Sequence, residues 1–126
     1  TWLTRSANGI RQSGIPERET PGFWNNVGQC CGSASVADFF LSYYQVTRDA
    51  TSLAFARRVT DQILDKATRD ELGTRWVHAE HRVQPANVAA QTGWMQGAAG
   101  IGAWLLRLDG VDRGRDVFVK FPDSPF

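Results

Sequence analysis

Two ten-residue segments of this chain follow one pattern, 65 residues apart. Gly28-Gln-Cys-Cys-Gly-Ser-Ala-Ser-Val-Ala37 lies over Gly93-Trp-Met-Gln-Gly-Ala-Ala-Gly-Ile-Gly102, so that Gly28 meets Gly93, Gly32 meets Gly97, Ala34 meets Ala99 and Val36 meets Ile101. The match runs on, with Phe39 over Trp104, Phe40 over Leu105 and Leu41 over Leu106. A glycine-rich turn that opens a helix, followed by a return helix, therefore occurs twice. Such a unit cannot bury its apolar face alone and has to stack on neighbours, which is the logic of helical solenoids and α/α toroids. Two copies are too few for that. The expectation is that further repeats lie upstream, in keeping with a chain that opens on Thr1 rather than Met, in a segment with no sign of an element start.

Periodicity places the helices. Val36, Phe39, Phe40, Tyr43 and Val46 share one helical face and predict a helix from about Ser33 to Thr47. After Arg48-Asp49, the run Leu53, Ala56, Val59, Ile63 and Ala67 predicts a second helix, ended by Gly73, that folds back on the first as an αα-hairpin. Ile101, Trp104, Leu105 and Leu108 predict a further helix ended by Asp109-Gly110, and Pro85 can open a short one through Gln91. Extended structure is signalled at Val117-Phe118-Val119. The fold class is thus all-α, with helical hairpin repeats forming part of an α/α toroid. One domain, or part of a larger one, accommodates 126 residues of which 42% are hydrophobic. It divides into an irregular connecting segment at 1–29, rich in glycine, asparagine and proline, a repeat at 30–92, and the last repeat with a C-terminal tail at 93–126.

Charge excludes some partners. The net charge is +1, and the fourteen Lys and Arg residues form no basic run, which speaks against nucleic acid. No apolar stretch approaches the roughly 20 residues of a membrane span, and the first residues lack the pattern of a signal peptide. The expected location is the cytoplasm.

Comparing the two copies separates chemistry from architecture. The glycines recur because tight turns need them. The chain's two cysteines, Cys30 and Cys31, stand only in the first copy, where the second has Met95-Gln96. Being adjacent, they cannot staple distant segments, and a reducing compartment with metal or redox chemistry fits them better. They sit at or just before a helix start, whose partial positive charge favours the thiolate that binds metals or acts as a nucleophile. Without a metal they would be two packed free thiols, or a vicinal disulfide.

The segment Pro21-Gly-Phe-Trp-Asn-Asn-Val-Gly-Gln-Cys-Cys-Gly-Ser-Ala-Ser35 resembles the motif of the lanthionine synthetase C-like family that carries two of its three zinc ligands. Here Cys-Cys-Gly stands where many members have Cys-His-Gly. Gln91-Thr-Gly-Trp-Met-Gln-Gly-Ala-Ala-Gly-Ile-Gly-Ala-Trp-Leu-Leu-Arg107 resembles the family's final glycine-rich repeat, and Phe121-Pro-Asp-Ser-Pro-Phe126 its C-terminal end. The resemblance implies an α/α toroid with zinc at its centre, held in part by Cys30 and Cys31. It implies a peptide substrate containing Cys and dehydrated Ser or Thr. Zinc would lower the pKa of the substrate thiol and present its thiolate for addition to dehydroalanine or dehydrobutyrine, giving a thioether ring, as in lantibiotic biosynthesis.

The chain departs from that pattern in one respect: the family's third zinc ligand is an upstream cysteine, and none besides Cys30 and Cys31 is present. The chain alone is therefore expected to lack cyclase activity, with the upstream part of the same protein as its partner. Between the repeats, His78, Glu80, His81 and Arg82 form a polar cluster that reads as a solvated loop, as a replacement ligand in His78 or His81, or as substrate-channel residues Glu80, His81 and Arg82. Trp24, Trp76, Trp94 and Trp104 read as packing residues. Two other functions fit the same residues: a non-catalytic zinc or thiol-binding scaffold for glutathione or a protein partner, and a metal-free helical-repeat fragment.

Overall fold

A computed structural model describes residues 1–18, 26–77 and 88–115. Its elements, in chain order, are α1 (Trp2–Gln12), α2 (Ser33–Thr47), α3 (Ala50–Asp65), β1 (Thr68–Asp70), β2 (Gly73–Arg75) and α4 (Ala98–Asp112). The all-α class and the αα-hairpin expected from the sequence are both present. The hairpin is α2 and α3, joined by Arg48-Asp49: Arg48 closes α2 in the left-handed conformation, and the Asp49 carboxylate accepts from the Thr51 N–H at 3.0 Å to cap α3.

Helix α2 packs against both α3 and α4. Phe40 and Leu41 of α2, Val59 and Ile63 of α3, and Ile101 and Trp104 of α4 are essentially inaccessible to solvent. Full burial of such side chains contributes about 1.5–3 kcal/mol each. Polar atoms carried inward find partners: the Trp104 indole N–H donates to Thr60 Oγ1 at 3.1 Å, and that of Trp76 to the Ile63 carbonyl at 2.7 Å. Arg11 ties α1 to the start of α3 by donating to Ser52 Oγ at 2.7 Å and to Asp49 Oδ2 at 3.3 Å. Its guanidinium lies 4.9 Å from the Phe40 ring centroid.

Several expectations need correction. Within residues 1–29, Trp2–Gln12 is a helix rather than irregular chain, capped by Thr1 Oγ1 accepting from the Thr4 N–H. Leu3, Ala7 and Ile10 fall at helical spacing, a short stripe that the weak helix formers Ser6, Asn8 and Gly9 mask. The buried face of α2 is turned from the one expected: Ala34, Ala37, Asp38, Phe40, Leu41 and Gln45 are inside, while Val46 is 79% exposed. Two polar residues in that face hid it from an apolar count.

Helix α3 stops at Asp65, not near Gly73, leaving Ala67 beyond its end. Gly73, with φ of +110°, instead serves the turn of the antiparallel hairpin β1–β2, which the sequence reading missed and in which Arg75 forks onto Asp70 at 2.7 and 2.6 Å. Helix α4 runs through Asp109-Gly110 to Asp112, with Gly110 buried. Val88–Gln91 are not helical, and Ala90 bridges to Val77. Val117-Phe118-Val119 lie outside the described residues.

Candidate metal centre

Helices α2 and α4 begin alike. Their N-caps, Gly32 and Gly97, are extended and offer no side chain to the first-turn N–H groups. Those N–H groups need acceptors, and the preceding turn supplies them from its own carbonyls. Ser33 donates to Asn26 at 3.0 Å and Ala34 to Val27 at 3.3 Å; Ala98 donates to Gln91 at 3.0 Å and Ala99 to Thr92 at 3.3 Å. Donor and acceptor are displaced by 65 residues in each case, so the sequence repeat is a repeat of hydrogen bonds. The closure leaves no room for a side chain at the cap. A Cβ on Gly32 would lie 2.5 Å from the Gly28 carbonyl oxygen, and one on Gly97 2.3 Å from that of Gln91.

The first turn carries the cysteines. Asn26, buried, organises it: its Oδ1 accepts from the Gly28 N–H at 3.2 Å and its Nδ2 donates to the Cys30 carbonyl at 3.2 Å. The Cys30 N–H donates to the Met95 carbonyl at 2.6 Å, reaching across to the second turn. Cys31 takes the left-handed conformation, φ +54°, at a cost of about 1–2 kcal/mol for a residue with a Cβ. Cys30 is half-buried and Cys31 exposed; neither is in a disulfide, and their sulfurs lie 3.7 Å apart.

That separation tests whether a metal fits. Zinc–sulfur bonds of about 2.3 Å in a tetrahedron put neighbouring sulfurs about 3.8 Å apart. The two Sγ atoms stand at that spacing, immediately before the N-terminus of α2. Among the described residues there is no group of three or more His, Cys, Asp or Glu side chains placed to hold a metal. Cys30 and Cys31 thus fit two of the positions around one zinc ion. His78, Glu80, His81, Arg82 and Trp24 lie outside the described residues. Trp76 and Trp104 are core residues.

Two features escaped the sequence reading. Asn26 belongs to the quoted motif, and its position two residues before a glycine is the signal for the turn it makes. Asp38 of α2 and Arg107 of α4 form a buried ion pair, Arg107 also donating to Ser42 Oγ at 3.0 Å and to Gln45 Oε1 at 2.7 Å. Burial pushes the Asp38 carboxyl above its ordinary value, against the pull of the Arg107 guanidinium. The pair crosses between the repeats and is not repeated within either, so no periodic signal marks it.

Fold and turns together define an all-α repeat protein that presents vicinal thiols at a helix start. The family model described as Lanthionine synthetase C-like protein matches residues 17–121, and the chain belongs to that family. No curated protein and no solved structure gives a significant match. Among the described residues no helix is long and apolar enough to cross a membrane.

Proposed function

We propose that this chain supplies two of the three protein ligands of a zinc site in a thioether-forming, lanthionine-type cyclase. The observation that supports the reading most is the 3.7 Å between the Cys30 and Cys31 sulfurs held just ahead of α2. Zinc there would leave a fourth position for a peptide cysteine, lower that thiol's pKa and present it to dehydroalanine or dehydrobutyrine. The chain's own residues do the rest. Cys30 and Cys31 donate thiolates, and the α2 N-terminus offsets part of their charge. Asn26 and the closure around Gly32 keep the sulfurs at a spacing one ion can span. Two thiolates, rather than a thiolate and an imidazole, keep more negative charge at the site and make an added sulfur more nucleophilic. The third ligand lies outside these two cysteines.

The test is ring closure by the full-length protein. A peptide holding one cysteine and one dehydroalanine gains a carbon–sulfur bond while the thiol proton moves to the α-carbon, so its mass is unchanged and its free thiol disappears. Loss of alkylatable thiol at constant mass, dependent on Cys30 and Cys31, is the expected result. A protein that holds zinc but never closes such a ring is a thiol-binding scaffold instead.

A further inference from the structure

We propose that the second glycine-rich turn, residues 91–100, is a positioning device for the first, with Gln29 as the side chain that locks them together and sets how Cys30 presents its sulfur. The inference rests on the reading of Cys30 and Cys31 as metal ligands and adds a role for residues outside the ligand set.

Three consecutive residues of the first turn meet the second. Gly28 lies so close that a Cβ on it would stand 2.9 Å from the Met95 carbonyl oxygen and 3.1 Å from Gln96 Cα. Gln29 Nε2 donates to the Gly100 carbonyl at 3.3 Å. The Cys30 N–H donates to the Met95 carbonyl at 2.6 Å. Because Asn26 Nδ2 donates to the Cys30 carbonyl from within the first turn, the Cys30 main chain is gripped on both sides.

Gly100 leaves an open spot that Gln29 crosses. A Cβ there would lie 1.9 Å from the Trp94 carbonyl oxygen of the same turn and 2.8 Å from Gln29 Cγ. Ser35, at the matching position of the first repeat, carries a side chain there and donates to the Gly32 carbonyl at 2.8 Å. Glycine at 100, required first by the Trp94 carbonyl, also leaves the space that the Gln29 side chain occupies. This gives the second turn a reason to keep its geometry with Met95 and Gln96 in place of cysteines. Groups outside the ligand set that orient a ligand commonly change metal affinity by 10–100-fold, about tenfold at the weak end.

The experiment uses the full-length protein loaded with Co²⁺, whose ligand-field and sulfur-to-cobalt charge-transfer bands report ligand geometry directly. Gln29→Met removes the donor at similar length, and Gln29→Glu keeps the shape but can only accept. Both should alter the ligand-field bands and weaken cobalt affinity about tenfold, with far-ultraviolet dichroism and melting temperature unchanged. Met95→Ala keeps the main-chain carbonyl and should match the wild type. Wild-type bands and affinity in both Gln29 variants would overturn the positioning role while leaving the metal reading intact. A wild-type protein that takes up no cobalt would remove the metal reading and this inference with it.

Discussion

Cys30 and Met95 occupy the same position in the two repeats, and the main-chain N–H of the first donates to the carbonyl of the second at 2.6 Å. The turn that carries the thiols is thus braced by its own thiol-free copy. The repeat supplies the architecture, and the vicinal thiols stand in the first copy alone.

Gly32→Ala should damage the turn and the thiols together. Its Cβ would lie 2.5 Å from the Gly28 carbonyl oxygen and 2.7 Å from the Gly28 nitrogen, main-chain atoms that cannot swing aside. A loss of about 2–4 kcal/mol is expected in urea denaturation, with metal binding reduced. Gly97→Ala should cost stability similarly, while Gly102→Ala, with nothing near its Cβ, should be nearly neutral.

The Asp38–Arg107 pair predicts a non-additive double mutant. Removing Arg107 alone leaves a buried carboxylate and should cost about 3–5 kcal/mol. Arg107 Nε and Gln45 Nε2 are buried without partners among the described residues, so the network is incompletely satisfied. Asp38→Leu combined with Arg107→Met should therefore recover most of the loss in a denaturation cycle.

Arg107→Met also carries a pH signature. With the guanidinium gone, burial acts unopposed on Asp38, and the folded-state pKa rises further above the ordinary 3.8. A raised carboxyl pKa stabilises the fold below the unfolded value, and that contribution disappears as pH climbs through the folded value. The variant should be most stable in acid and weaken toward neutrality relative to wild type, as thermal melts across pH will show.

Asp49 should behave in the opposite sense. Hydrogen bonds from Ser52, then Thr51, hold its carboxyl down at about 2. Its stabilising effect is present above the ordinary 3.8 and is lost as pH falls toward about 2. Asp49→Ala should remove that part of the acid limb of the stability curve and leave its slope near neutrality unchanged.

What was legible in the sequence was whatever recurs. The α2 bounds, the αα-hairpin and the two turns follow from periodicity and from a repeat that proved to be one of hydrogen bonds. What was not legible is whatever breaks periodicity. The short Leu3, Ala7, Ile10 stripe of α1 is interrupted by Ser6, Asn8 and Gly9, and the inward face of α2 includes Asp38 and Gln45. The β1–β2 hairpin is held largely by Arg75 on Asp70 and the turn at Gly73, with no alternating apolar pattern. At the site, the two cysteines were visible by residue type and Asn26 by its place two residues before Gly28, whereas Gln29 acts through a contact to Gly100 that spacing does not encode.

The measurement that bears most directly on the account is zinc content of the purified full-length protein by mass spectrometry under non-denaturing conditions. The 3.7 Å between the Cys30 and Cys31 sulfurs leads us to expect about one zinc per chain, mostly lost in Cys30→Ala and in Cys31→Ala. Cys31→His should largely keep the metal, since imidazole is also a good zinc ligand. Wild-type protein without zinc, or zinc unchanged in both alanine variants, would contradict the account and leave the vicinal cysteines as packing residues.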